Sequence, residues 1–193
     1  VEHARRAFFL IPREVNFDAY RYIFSSNTLS RSFVVSVFIT VVGTLINLFF
    51  TLTMAYPLSK KYLVGRNWLM NAIIFCMIFS GGMIPGYLLV KELGLLDTFW
   101  ALWLPGAISP FNLFVIKSFF QGIPAELEES ARIDGCTDYQ VLVKIVLPLS
   151  KPVIATFALF YAVGHWNQFF NALLYINNYK KWEHRSFPAA EVA

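Results

Sequence analysis

Ser32–Ser59, "SFVVSVFITVVGTLINLFFTLTMAYPLS", is 28 consecutive residues without Asp, Glu, Lys or Arg. A helix crossing the hydrocarbon core of a bilayer needs roughly 20 apolar residues, so this run is long enough to span. Three more charge-free runs follow: Asn67–Val90 with 24 residues, Thr98–Ile116 with 19 and Pro152–Tyr179 with 28. Buried helices of soluble proteins rarely supply four such runs in one chain. Composition agrees, with 57% hydrophobic, 18% aromatic and only 15% charged residues among 193. The fold class expected is an all-α membrane protein, a polytopic helical bundle forming one domain over 1–193, with spans near 32–58, 67–90, 98–119 and 152–177.

The net charge of +4 sits in short loops and tails, where Lys and Arg meet lipid headgroups, and is no sign of nucleic-acid binding. Cys76 falls inside a span and Cys136 in a polar segment, so a disulfide between them is not expected. Residues 1–31 read as a polar or interfacial lead-in, with Phe17, Tyr20, Tyr22 and Phe24 at headgroup level.

The spans are irregular. The second carries Gly81, Gly82, Pro85 and Gly86, and the third Pro105, Gly106 and Pro110. Both are expected to bend or break, either as packing kinks or as bends lining a pathway. In the fourth, Tyr161, Gly164, His165, Gln168, Asn171 and Tyr175 fall within about 120° of one another on a continuous helix of 100° per residue. A polar face of this kind turns to a pathway or to hydrogen bonds between helices; the sequence leaves both open.

Between the third and fourth spans lies a charged island, Glu128–Pro152, "EESARIDGCTDYQVLVKIVLPLSKP". Pro124 suits a first helical position, and Glu126, Glu128 and Glu129 suit the opening turns, where the helix dipole favours negative charge. Gly135 suits the residue just past the helix end. Thr137 and Gln140 form a capping-box pattern for a second helix, which is expected to stop before Pro148. The apolar residues Leu127, Ala131, Ile133, Val141, Ile145 and Val146 among these charges fit a protein groove better than water.

The spacing Glu129, Ser130, Ala131, then Gly135, then nine residues to Ile145, then Leu147 and Pro148, resembles the EAA loop of the membrane subunits of binding-protein-dependent ABC importers. Ser130 stands where the usual pattern has its first alanine. "DAYRYIF", "SVFITVVGT", "AYPLS", "GMIPGYLLV", "NLFVIKSFF" and "WNQFFNALLYI" extend the resemblance from about Phe17 to Ile176. It is nearest the carbohydrate branch, the maltose-type and polysaccharide or aldouronate-type permeases.

The resemblance implies a type I ABC importer permease with four of six spans present, spans two to five, so the chain is read as a piece of a longer protein. It also implies a cytoplasmic coupling loop over 121–151, with Glu128, Glu129, Ser130, Ala131, Asp134, Gly135, Ile145, Leu147 and Pro148 as the ATPase-coupling residues. Glu129 would meet a basic or backbone-donor partner, Ala131 would allow close approach, Gly135 would make the turn, and Leu147 and Pro148 would fix the exit into the fourth span. The expected partners are a second permease subunit in a heterodimer, two cytoplasmic ATPase subunits, an extracytoplasmic solute-binding protein and membrane lipid. The expected location is the bacterial plasma (inner) membrane, multi-pass. Tyr161, His165, Gln168, Asn171 and Tyr175 are the candidate pathway residues.

None of the four charge-free runs supplies a carboxylate relay for ion coupling, and no G-x-x-x-x-G-K-[ST] phosphate loop occurs. ATP and Mg are therefore expected on a partner subunit, with no cofactor or metal bound by this chain. His3, His165 and His184 are scattered, and no paired acid and base suggests catalysis. The competing readings are a permease of the same superfamily for peptides, amino acids or ions, and a membrane-embedded enzyme using the polar face of the fourth span. Loops 59–66 and 117–151 carry seven Lys or Arg against one in 91–97, which favours a cytoplasmic island. The terminal segments carry eight more, so the orientation rests on the loop motif.

Overall fold

A computed structural model of the chain describes residues 27–176, and the interfacial lead-in expected around Phe17–Phe24 lies outside them. Every regular element among the described residues is helical. The chain divides into two units, 1–37 and 38–193. The first is described only as the opening turns of the first helix, where Ser36 Oγ donates to Ser32 O at 3.0 Å. The rest of that helix and all later elements belong to the second unit.

Helix α1, Asn27–Ser59, is continuous and contains Pro57 in its last turn. It starts inside the segment read as lead-in. Residues 31–59 are long and apolar enough to cross a membrane, and an 18-residue window within them has a mean hydropathy of 2.4. The second charge-free run becomes α2, Arg66–Ile78, and α3, Met83–Glu92, bent by 117° at the glycine cluster. Gly82 there has φ 83° and ψ 178°, an extended positive-φ conformation open essentially to glycine alone. The third run becomes α4, Trp100–Trp103, and α5, Pro110–Gln121, separated around Pro105 and Gly106. Ser109 caps α5 by accepting from Asn112 N at 3.5 Å. Lys117, just past that charge-free run, lies on α5 with its side chain laid along apolar neighbours, 9% exposed.

The island forms α6, Ala125–Ile133, and α7, Asp138–Val141, followed by a wide turn over Leu142–Val146 and α8, Leu147–Leu149. After an 82° bend at Ser150, α9 runs Lys151–Trp166 and α10 runs Phe169–Tyr175. The described residues thus hold one uninterrupted helix of membrane-spanning length, or three spans if each bent pair counts as one.

The second island helix does not stop before Pro148. Leu147 N–H bonds to Leu142 O, five residues back, which opens a π turn ahead of the proline. The widened turn takes up the clash between a proline ring and the preceding carbonyl, so the helical path continues through Pro148.

Two apolar cores stabilise the unit. One joins the end of α1, α5, the island and α9 through Leu58, Ile116, Phe120, Ala131, Val141, Val146 and Phe157. The other joins α3, α4 and α10 through Val90, Leu102, Trp103 and Tyr175. Large side chains such as Phe49, Phe75, Ile84, Phe111 and Phe169 face outward, as a lipid-embedded surface requires.

Helix α1 meets α9 at Gly43. A Cβ built there would lie 2.6 Å from the His165 ring, which is buried and held by two neighbours. Gly164, on α9 itself, faces open space. Gly43→Val is therefore expected to destabilise the detergent-solubilised protein by about 1–3 kcal/mol, since the pinned ring cannot move aside. Gly164→Ala is expected to be neutral or to stabilise by up to about 1 kcal/mol through helix propensity. Thermal unfolding of the two variants beside the parent checks the pair.

Candidate functional site

The island is built by local rules. Pro124 precedes α6 rather than opening it, with φ −54° and ψ 130°. Glu126 and Glu128 occupy the first turn, favoured by the positive end of the helix dipole. At the other end Asp134 is the C-cap, Gly135 N–H bonds to Arg132 O at 3.0 Å and Cys136 N–H to Ala131 O at 2.9 Å. That pair of bonds is a Schellman motif, and Gly135 fills its left-handed position with φ 84°. Helix α7 opens with the expected capping box. Thr137 Oγ1 accepts from Gln140 N at 3.4 Å, and Gln140 Oε1 accepts from Thr137 N at 2.9 Å.

Helix α6 has two faces. Glu128 and Ala131 point inward and are nearly buried, at 7% exposure each. Glu129 and Ser130 are exposed, as are Leu127, Ile133 and, on α7, Tyr139. The close approach that Ala131 allows is therefore to this chain's own core. Asp134, Gly135 and Pro148 are exposed, while Ile145 and Leu147 are half-buried against that core.

The inward face is tied to the end of α1. Lys60 Nζ forms an ion pair with both carboxylate oxygens of Glu128 and sits 4.5 Å above the Tyr56 ring. Arg132 donates to Tyr62 Oη at 2.7 Å and to Asp138 Oδ1 at 2.9 Å, and Gln121 Nε2 donates to Ser59 O at 3.3 Å. The Asp138 hydrogen bond pushes the Arg132 guanidinium further up from its ordinary value, so it stays charged at any physiological pH. These contacts place loop 59–66 and the island at the same end of the molecule, as the distribution of basic residues predicts.

The fourth span is not one continuous helix. It breaks between Trp166 and Phe169, so the arc drawn from Tyr161 to Tyr175 does not survive as a single face. Tyr161 and His165 are buried against α1. Tyr161 Oη and Thr51 Oγ1 share a hydrogen bond of 2.8 Å, and His165 Nε2 and Asn47 Oδ1 share one of 3.0 Å. Gln168 Nε2 lies 3.0 Å from His165 Nδ1 and donates to Leu102 O at 3.2 Å, while Asn47 Nδ2 donates to Gly106 O at 2.8 Å. Tyr175 is buried elsewhere, stacked on Tyr87 at 6.3 Å between ring centres. Asn171 is exposed.

Asn47 and Thr51 belong to this seam, although the pattern of charges and glycines does not single them out. A signal for them exists in the sequence: they lie four apart on an apolar helix, where a polar pair in lipid needs partners. Among the described residues, no group of His, Cys, Asp and Glu is arranged to hold a metal ion.

Comparison with known proteins adds a family to this geometry. Residues 23–180 match the family described as "Binding-protein-dependent transport system inner membrane component". Protein LplC of Bacillus subtilis is 66% identical over 181 residues, covering 94% of this chain and 61% of that protein. The polygalacturonan/rhamnogalacturonan transport system permease protein YtcP of the same species is 55% identical, covering 94% of this chain and 63% of its own length. Among solved structures, a bacterial ABC transporter involved in import of the acidic polysaccharide alginate superposes with a TM-score of 0.82. It is 36% identical, over 90% of this chain and 62% of that one. The chain thus spans a little over three-fifths of the length of these relatives.

The two caps of the island define separate expectations. Gly135→Ala places an L side chain in the left-handed region and is expected to cost about 1–2 kcal/mol. Thr137→Ala removes the capping hydroxyl and is expected to cost about 1 kcal/mol. Either change should speed amide hydrogen exchange at residues 133–141 by roughly three- to thirtyfold, with α9 unaffected, because a tenfold change corresponds to about 1.4 kcal/mol.

Proposed function

The chain belongs to the family of binding-protein-dependent transport system inner membrane components, and from that premise we propose that it is the permease subunit of an ATP-driven importer of oligosaccharides. It would form part of the translocation path by alternating access and couple to a separate ATPase through α6. The observation that carries this reading is the two-faced helix. Its inward face closes on the chain's own core, while Leu127, Glu129, Ser130 and Ile133 remain as an exposed amphipathic surface. An exposed patch of apolar residues among charges fits a protein cleft.

In this reading ATP and Mg belong to two cytoplasmic ATPase subunits, and no catalysis is assigned to this chain. A second permease subunit completes the path, an extracytoplasmic solute-binding protein delivers the substrate, and the assembly sits in the bacterial plasma membrane. The substrate class follows from relatives named for sugar transport, and acidic oligosaccharides are the first to test. One relative is named for polygalacturonan and rhamnogalacturonan, and the structural neighbour is involved in alginate import. Within the fourth span, the hydrogen bonds of Tyr161, His165 and Gln168 support a role in joining helices, which leaves the exposed Asn171 as the candidate for contact with substrate.

Glu129 carries the test. The full-length permease, co-expressed with its ATPase, is expected to retain that subunit through affinity purification. Glu129→Lys is expected to reduce the retained ATPase by about tenfold, the scale of losing one charged contact at an interface. Undiminished retention together with normal uptake of oligosaccharide by vesicles would overturn the coupling reading. In the same vesicles, uptake stimulated by oligogalacturonate and not by neutral oligosaccharides is the result expected for an acidic substrate.

A further inference from the structure

Two adjacent glutamates on α6 face opposite ways, and only one is free to meet another subunit. Glu129 is exposed, whereas the Glu128 side chain is 9% exposed and ion-paired with Lys60, whose own side chain is 12% exposed. The partners lie 68 residues apart in the chain, on the loop that leaves α1 and on the island. Lys60 is fixed from below by the Tyr56 ring, at 4.5 Å, so its ammonium is held between an aromatic face and a carboxylate. A second strap runs parallel, from Arg132 at the far end of α6 to Tyr62.

A pair this enclosed is unlike a surface salt bridge. Removing one member leaves the other charged group buried without a partner, and the penalty falls on the position of α6 itself. We propose that Lys60 and Glu128 form a clamp that makes the end of α1 move with α6, so that displacement of the island reaches α1 directly as well as α9 through the covalent chain. Glu128 is then a positioning residue that acts through Lys60, with no contact to the ATPase. Covalent continuity carries motion from α6 forward only through Gly135, the capping box, the π turn and the 82° bend at Ser150. The clamp bypasses all four. It joins the island to the helix that carries Asn47 and Thr51, and through them to the buried seam with α9.

This inference rests on the coupling reading of α6, and the two fail differently. The full-length permease is reconstituted with its ATPase in proteoliposomes as Lys60→Glu, as Glu128→Lys and as the double exchange. Three quantities are read for each: ATPase retained on purification, the KM for ATP, and substrate transported per ATP hydrolysed. Each single reversal is expected to retain the ATPase with an unchanged KM for ATP, and to lower transport per ATP by about tenfold. The double exchange is expected to restore it to within about threefold, as for two residues coupled directly.

Glu128→Lys losing the ATPase while Lys60→Glu keeps it would overturn the clamp, because Glu128 would then face the other subunit. Normal transport per ATP in both single reversals would also overturn it. Where a single reversal fails to accumulate in the membrane, recovery of accumulation and coupling in the double exchange supports the pair, and no recovery counts against it. A failed coupling reading shows instead in Glu129→Lys, which leaves both Lys60 and Glu128 in place.

Discussion

In hydrocarbon no water is present to meet a freed amide or carbonyl, so every break in a membrane helix must be closed from within the protein. This constraint organises the second unit. The chain breaks around Pro105 and Gly106, and Asn47 of α1 donates to the exposed carbonyl of Gly106. On the other side of the same break, at the end of α4, Gln168 donates to Leu102 O. The polar residues of α1 and of the α9–α10 junction thus complete the backbone of a neighbouring broken segment. His165 links the two donors by bonding to both Asn47 and Gln168. Each interhelical hydrogen bond in lipid contributes only about 0.6 kcal/mol, so the seam depends as much on the close approach at Gly43 as on any one bond.

The break at Asn167–Gln168 follows from the same requirement. A straight helix from Pro152 to Ile176 would keep its polar residues on one arc. At the turn Gln168 bonds to both Leu102 O and His165, while Asn167 folds its side chain back onto Val163 O at 2.9 Å. No glycine or proline marks this site in "HWNQFFN", so periodicity alone predicts an unbroken helix. Tertiary contacts from residues more than sixty positions away override it.

What was legible in the sequence divides along that line. Runs without charge, the Gly81–Gly86 break, the left-handed Gly135 and the Thr137–Gln140 box are properties of neighbouring residues, and they can be read where they stand. The helix that runs on through Pro148 could not be, because a proline alone signals a stop, and the π turn that accommodates it is specified by packing of Leu142 and Val146. Glu128 shows the limit most clearly. Its position suits the helix dipole equally well facing in or out, and only the arrival of Lys60 from the end of α1 decides which.

Placement of Lys60 is in turn a consequence of where α1 stops. Pro57 sits in the last turn, Lys60 N–H closes that turn on Pro57 O at 3.0 Å, and Ser59 Oγ donates to Tyr56 O at 2.6 Å. The chain therefore leaves α1 with Lys60 held beside the Tyr56 ring rather than reaching into the interface, which is where a lysine at a helix end in a membrane ordinarily goes. Burying an ammonium in this way is unfavourable unless a carboxylate meets it, and a buried Glu on α6 is unfavourable unless a cation meets it. Each residue is tolerated only in the presence of the other. The docking of α6 on α1 is for that reason specified by charge, while the opposite face of the same helix is left free of any role in holding the fold together.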